Sequence, residues 1–248
     1  MNIAVLLAGG TGQRLGKSIP KQFVEVFGKP LIVYALETYE KSDYIDAIEV
    51  VCVPPYIDTV LEYKTSYGIS KLKWVVPSGD TCQESIKNGI FNLKEVCKND
   101  DILIFGMSTS VFVTDEILKD SLDTCNKFGN AFAAMQCIYN LATTRDGVTS
   151  RSINFKEIHK TLNLPWTAPF GTFFGLYSEA FAKNIETGPA SYAPTLFLAL
   201  GETLYLSIDT SKNKIHVTTP DDLEIVKACL LLDYLKDGGK FDELFNGD

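Results

Sequence analysis

The sequence predicts an α/β fold, a mostly parallel mixed sheet flanked by helices. Three observations predict it. Short apolar runs alternate with helix-periodic segments along the first half of the chain, the pattern of parallel strands covered by helices. A glycine-rich loop follows the first apolar run directly, where α/β proteins place a phosphate-binding turn. No proline- or serine-rich linker and no internal repeat divides the 248 residues, so residues 1–248 read as one domain.

Element by element, strands are expected at Ile3–Leu7, Ile48–Val53, Leu72–Pro77 and Ile102–Phe105, each a continuous apolar or β-branched run. Helices are expected between them at Pro30–Lys41, Ile57–Tyr67, Cys82–Val96 and Asp115–Lys127. Pro30 suits a first helical turn, and Thr114-Asp115 an N-cap. The pattern weakens over 139–165, which is rich in Thr and Ser and carries the turn dipeptide Asp146-Gly147. That segment reads as a protruding β-arm or long loop. Helical periodicity returns at Ser178–Ile185 and Thr195–Leu200. The last helix spans Thr219–Leu235, with a capping threonine, Pro220 and the acids Asp221 and Asp222 in its first turn.

Composition bounds the function. A 46% hydrophobic content is ample for a core, and no apolar run approaches the ~20 residues of a membrane span. The chain enters its first strand at once, leaving no room for a signal peptide, so a cytoplasmic protein is expected. Six cysteines without metal-type spacing read as reduced thiols, and two histidines cannot build a zinc site. A net charge of −8 argues against nucleic acid as partner. The same balance makes the cations of the glycine loop stand out: Arg14, one of three arginines, and Lys17 and Lys21.

The loop itself, Ala8-Gly9-Gly10-Thr11-Gly12-Gln13-Arg14-Leu15-Gly16, offers close backbone approach and several N–H groups to one anion. Gly16-Lys17-Ser18 fits the end of a Walker A loop, but Thr11 stands at its first glycine. Gly10 and Gly12 fit a dinucleotide fingerprint, but Leu15 stands at its third. With Pro20-Lys21-Gln22, the stretch resembles the signature of the sugar-nucleotide pyrophosphorylases and their cytidylyltransferase relatives, in particular the branch acting on methylerythritol phosphate and ribitol 5-phosphate. Asn213–Leu223 resembles the C-terminal signature of the same family.

The resemblance implies a Rossmann-like, glycosyltransferase-A-like nucleotidyltransferase fold that uses CTP, Mg²⁺ and a small phosphorylated acceptor. It implies homodimerisation through the 139–165 arm. It assigns Arg14, Lys21 and His216 to catalysis, and Ala8, Gly9, Gly10, Thr11, Gly12, Gln13, Arg14, Lys21, Gly79 and Ser85 to the nucleotide. Several of the family's positions are altered here. Met107 replaces the metal-binding aspartate, and a thioether is a poor ligand for a hard cation. Ser110 replaces an arginine, Cys82 another, and Asn140-Leu141 an Asp-Thr pair. Ala168–Gly171 and Ser191–Thr195 depart from the family's Thr-Pro-Gln and acid-containing elements.

His216 stands for a lysine; as a cation it would partly replace it, with activity falling as pH rises past ~6.5. As a strand histidine satisfied locally it would do nothing. Ser85 reads as a base contact or as a helix cap, and Lys17 as a phosphate contact or a solvated lysine. Asp80, Glu84, Asp101 and Asp209 remain as candidate metal contacts, while Trp74, Trp166 and Phe170–Phe174 read as core. Two functions follow. One is a cytidylyltransferase acting on an alditol or other polyol phosphate with release of pyrophosphate. The other is a catalytically degenerate relative that binds nucleotide or serves as a scaffold.

Overall fold

The computed structural model describes residues 1–10, 19–137, 141–142, 152–153, 160–213, 215 and 217–241. Thr11, Gly12, Gln13, Arg14, Lys17 and His216 lie outside the described residues. In chain order the elements are β1 (Asn2–Ala8), β2 (Glu25–Val26), β3 (Lys29–Pro30), α1 (Leu31–Lys41), β4 (Ala47–Cys52), α2 (Ile57–Ser66), β5 (Leu72–Pro77) and α3 (Cys82–Asn92). There follow β6 (Ile102–Met107), α4 (Asp115–Phe128), β7 (Ala131–Gln136), β8 (Leu141–Ala142), β9 (Ser152–Ile153) and β10 (Lys160–Pro169). The chain ends with α5 (Phe170–Lys183), α6 (Ala193–Ala199), β11 (Leu206–Ile208) and α7 (Pro220–Lys236).

Seven strands form one sheet in the order β11-β7-β10-β6-β1-β4-β5. β1 pairs in parallel with β4 on one side and β6 on the other, and β10 alone runs antiparallel, between β6 and β7. Alternation along β1 divides the core. Ala4, Leu6 and Ala8 face α1, α2 and α4; Ile3, Val5 and Leu7 face α3, α5 and α6. Burial on both faces is why the central strands read as unbroken apolar runs. A third cluster joins Val24, Val26 and Leu31 to Phe112, Val217, Leu223 and Val226, seating α7 against the hairpin of β2 and β3.

Three strands of the main sheet were not foreseen, nor was the hairpin of β2 and β3. β7 is Ala-Phe-Ala-Ala-Met-Gln, residues that favour helix in isolation but are buried here between β10 and β11. β10 takes Lys160–Pro165 out of the expected arm and into the main sheet, with a register shift between Leu162 and Trp166 that accommodates Pro165. β11 has only three residues. Within the remainder of 139–165, β8 pairs antiparallel with β9. Pro30 precedes α1 as its N-cap rather than entering its first turn, because its ψ of 141° is extended. The phenylalanine-rich run opens α5, where Phe170 and Phe173 are core. All six cysteines are free thiols. Among the described residues no helix is long and apolar enough to cross a membrane.

Candidate active site

The chain runs outward from β1 to β4 and β5, then returns to β6 on the other side of β1. Beyond the carboxyl ends of strands at such a reversal the sheet leaves a crevice. Here that crevice is a cleft of about 780 Å³. Its floor is Leu7, Met107, Leu164 and Trp166; one wall is Gly79–Cys82 with Ser85 at the start of α3. Leu162 and Asn163 of β10 and Tyr192, Pro194 and Thr195 at the start of α6 complete the lining. Gly9, Gly10, Lys21 and Thr218 close the rim.

Local interactions hold the rim. Gln22, buried, donates from Nε2 to the Ala8 carbonyl at 2.7 Å and so fixes the end of β1. A Cβ on Gly9 would lie 2.7 Å from Ser78 Cβ and 3.2 Å from Ser85 Oγ, so only glycine lets the first turn touch the turn after β5. Lys21 donates from Nζ to the Val217 carbonyl at 2.7 Å, bringing its charge to the cleft. Burial works to raise the Asp222 carboxyl. The amides of Thr219 and Thr218, the Thr219 hydroxyl and the Lys21 charge outweigh it, holding the pKa below the usual carboxylate range.

The α3 wall is built by a capping box. Thr81 Oγ1 accepts from the Glu84 amide at 3.1 Å, and the Glu84 carboxylate accepts from the Thr81 and Asp80 amides at 3.0 and 2.8 Å. A Cβ on Gly79 would collide with the Glu84 side chain. The cap is therefore Thr81, not Ser85. Ser85 Oγ accepts from the Gly79 amide at 3.1 Å and donates to the Thr81 carbonyl at 3.0 Å, while lining the cleft. Burial pushes the Cys82 thiol up to about 11, which keeps it protonated and unreactive at neutral pH.

The α6 wall rests on a buried relay. The Tyr177 hydroxyl donates to Gln83 Oε1 at 2.7 Å; Gln83 Nε2 donates to Ser191 Oγ at 3.1 Å; Ser191 Oγ donates to Glu186 Oε2 at 2.7 Å. Thr195 Oγ1 lies 2.8 Å from Ser191 Oγ and donates to the Tyr192 carbonyl at 2.7 Å. Ser191–Thr195 thus forms the start of a helix in place of an acidic element.

The sequence-derived residues Ala8, Gly9, Gly10, Lys21, Gly79, Ser85 and Met107 converge at this end of the sheet. The candidate metal contacts do not. Asp101 lies at the amino end of β6, where it binds the Met1 ammonium and accepts from the Lys98 amide at 2.7 Å. Glu84 is consumed by the capping box, and Asp209 by Asn163, Asn213 and the Thr210 amide. Only Asp80 lines the cleft, and among the described residues no three His, Cys, Asp or Glu side chains gather around a metal position. A divalent cation wants a cage of hard oxygens, and one exposed carboxylate beside a thioether is not one. The β10 wall, Leu162–Leu164, was missed by sequence reasoning. The alternation of Leu162, Leu164 and Trp166 was its signal, interrupted by Pro165.

Sheet topology and cleft position together define a Rossmann-like α/β fold of the nucleotidyltransferase type. The 2-C-methyl-D-erythritol 4-phosphate cytidylyltransferase family matches residues 2–161, and the chain belongs to that family. It is 34% identical over 230 residues to a ribitol-5-phosphate cytidylyltransferase of Lacticaseibacillus paracasei, across 93% of this chain and 98% of the relative. It is 30% identical over 237 residues to a 2-C-methyl-D-erythritol 4-phosphate cytidylyltransferase of Syntrophus aciditrophicus, across 92% and 95%. The crystal structure of the Francisella tularensis 2-C-methyl-D-erythritol 4-phosphate cytidylyltransferase shares the fold, with a TM-score of 0.76 at 19% identity over 92% of this chain and 98% of that one.

Proposed function

We propose that this chain is a cytoplasmic, homodimeric cytidylyltransferase that transfers CMP from CTP to a polyol phosphate of the ribitol 5-phosphate type. The observation that carries the reading is the meeting of Gly9-Gly10, Lys21 and the Gly79–Ser85 turn on one cleft at the reversal point of the sheet. The triphosphate lies along the 9–16 loop, with Arg14, Lys21 and His216 as its cations. A phosphate oxygen of the acceptor attacks the α-phosphorus of CTP in line. The new P–O bond forms as the bond to the β-phosphate oxygen breaks, and pyrophosphate leaves with the electron pair. The protein orients the reactants and neutralises charge, and nucleotidyl transfer asks little else of it. The described lining does not cage a divalent cation, so a cation accompanying the triphosphate takes most of its oxygens from phosphate and water.

Met107 favours a second reading, a relative that binds nucleotide without turning it over, because no carboxylate stands at the end of β6. Titration with CTP, UTP, ATP and GTP, each with and without Mg²⁺, followed by a pyrophosphate-release assay with ribitol 5-phosphate, separates the two. Selective CTP binding and acceptor-dependent release support the enzyme, with Lys21→Met weakening CTP about 10- to 100-fold. Absence of CTP binding at millimolar ligand overturns it. Binding without release from any polyol phosphate leaves the second reading, for which Met107→Asp should introduce Mg²⁺-dependent turnover.

A further inference from the structure

We infer that Asp209 is a positioning residue, which sets Asn163 to receive the hydroxyl groups of the acceptor's polyol chain. This rests on the cytidylyltransferase reading above and assigns one wall of the same cleft. A polyol phosphate has two chemistries: its phosphate seeks cations, and its hydroxyl-bearing chain seeks amides and hydroxyls. Among the described cleft residues the one cation, Lys21, stands on the glycine-turn side. The same lining offers the Asn163 amide and the residues Thr195 and Tyr192, which carry hydroxyls. These uncharged hydrogen-bonding groups suit the hydroxyl-bearing chain.

The amide of Asn163 can serve specificity only if its two ends are told apart, because the terminal torsion of asparagine is broad. Asp209 tells them apart. Its Oδ2 accepts from Asn163 Nδ2 at 2.9 Å, and a carboxylate can only accept, so Nδ2 is drawn to Asp209 and Oδ1 is turned away from it. The other oxygen, Oδ1, accepts from Asn213 Nδ2 at 2.7 Å and from the Thr210 amide at 2.8 Å. Asn213 is buried and also donates to the Leu164 carbonyl at 2.9 Å, which ties the clamp to β10 next to its register shift. Asp209 does not line the cleft itself, so its effect passes through Asn163.

The test compares wild type, Asp209→Asn, Asn163→Ala and the double variant, by pyrophosphate release with ribitol 5-phosphate and CTP varied separately. Asp209→Asn is expected to raise the acceptor KM about ten-fold, the worth of one oriented hydrogen bond, with the CTP KM within two-fold of wild type. Asn163→Ala is expected to match it, and the double variant to lose no more than Asn163→Ala alone. Equal increases in both KM values, or a further ten-fold loss in the Asn163→Ala background, would overturn the assignment. An unchanged acceptor KM in Asn163→Ala overturns it even if Asp209→Asn does not fold. A wild type that releases no pyrophosphate with any polyol phosphate refutes the cytidylyltransferase reading itself, a result distinct from all of these.

Discussion

Replacing Gly9 by alanine isolates the contact on which the glycine turn depends. Gly9 is not in the left-handed region, so alanine carries no backbone penalty there; the obstacle is space. The added Cβ would sit 2.7 Å from Ser78 Cβ, whereas ordinary carbon contacts need about 3.5–4 Å, so something must move by roughly 1 Å. Ser78 cannot swing clear, because its Cβ is fixed to the backbone and its amide donates to the Cys52 carbonyl at 2.7 Å. Overpacking of this kind costs about 1–3 kcal/mol, or about 2–12 °C in melting temperature for a chain of this size. The displaced turn carries Gly79 and Ser85 with it, so CTP affinity should fall alongside stability. Scanning calorimetry, with CTP titration of the same samples, measures both. Gly175→Ala is the control: a Cβ there meets nothing within 4 Å on an exposed face of α5, and helix propensity predicts a gain of about 0.5–1 kcal/mol. A Gly9→Ala protein that melts within about 1 °C of wild type and binds CTP normally would refute the close approach of the two turns.

Glu49 gives a pH prediction. Buried in β4 with Asn92 Nδ2 donating to its Oε1 at 2.7 Å, it has a pKa raised from 4.5 to about 8, desolvation outweighing that bond. The folded state therefore holds the proton more tightly than the unfolded one. This stabilisation is full below about pH 4.5 and is lost as pH rises towards 8. Glu49→Gln should remove that loss, so urea titrations at pH 5 and pH 8 should show wild type declining relative to the variant over this window; parallel curves would contradict it. Thr81→Ala removes the N-cap of α3 and should cost about 1 kcal/mol, or about 2–4 °C by thermal melting, with weaker CTP binding because the Gly79–Ser85 turn loosens.

The central strands were legible because burial on both faces writes a continuous apolar run, as in Ile3–Leu7 and Ile102–Phe105. The other half of the sheet was not. Alanine-rich β7 carries no strand propensity of its own, and in β10 Pro165 hides the alternation until β6 and β7 are seen on either side. The glycine turn, Lys21, Gly79, Ser85 and Met107 could be read as one site, since the end of a parallel strand is where ligand loops fall. Candidate carboxylates could not be sorted that way. Asp101 precedes β6 and Met107 ends it, so one strand of six residues, about 20 Å, separates them. Which pole of a strand a residue occupies is a fact of topology, not of composition. Asn163 and Asp209, 46 residues apart in sequence, meet only because β10 runs against its neighbours.

The bond from Lys21 Nζ to the Val217 carbonyl spans 196 positions in sequence. A ribosome delivers Lys21 long before Val217, so the cation reaches this anchor only after 196 further residues have been made. Chains stopped before Val217 would carry the glycine turn and every strand of the sheet, yet lack this anchor for the Lys21 ammonium. This anchor of the site is thus set only after every strand of the sheet has been made.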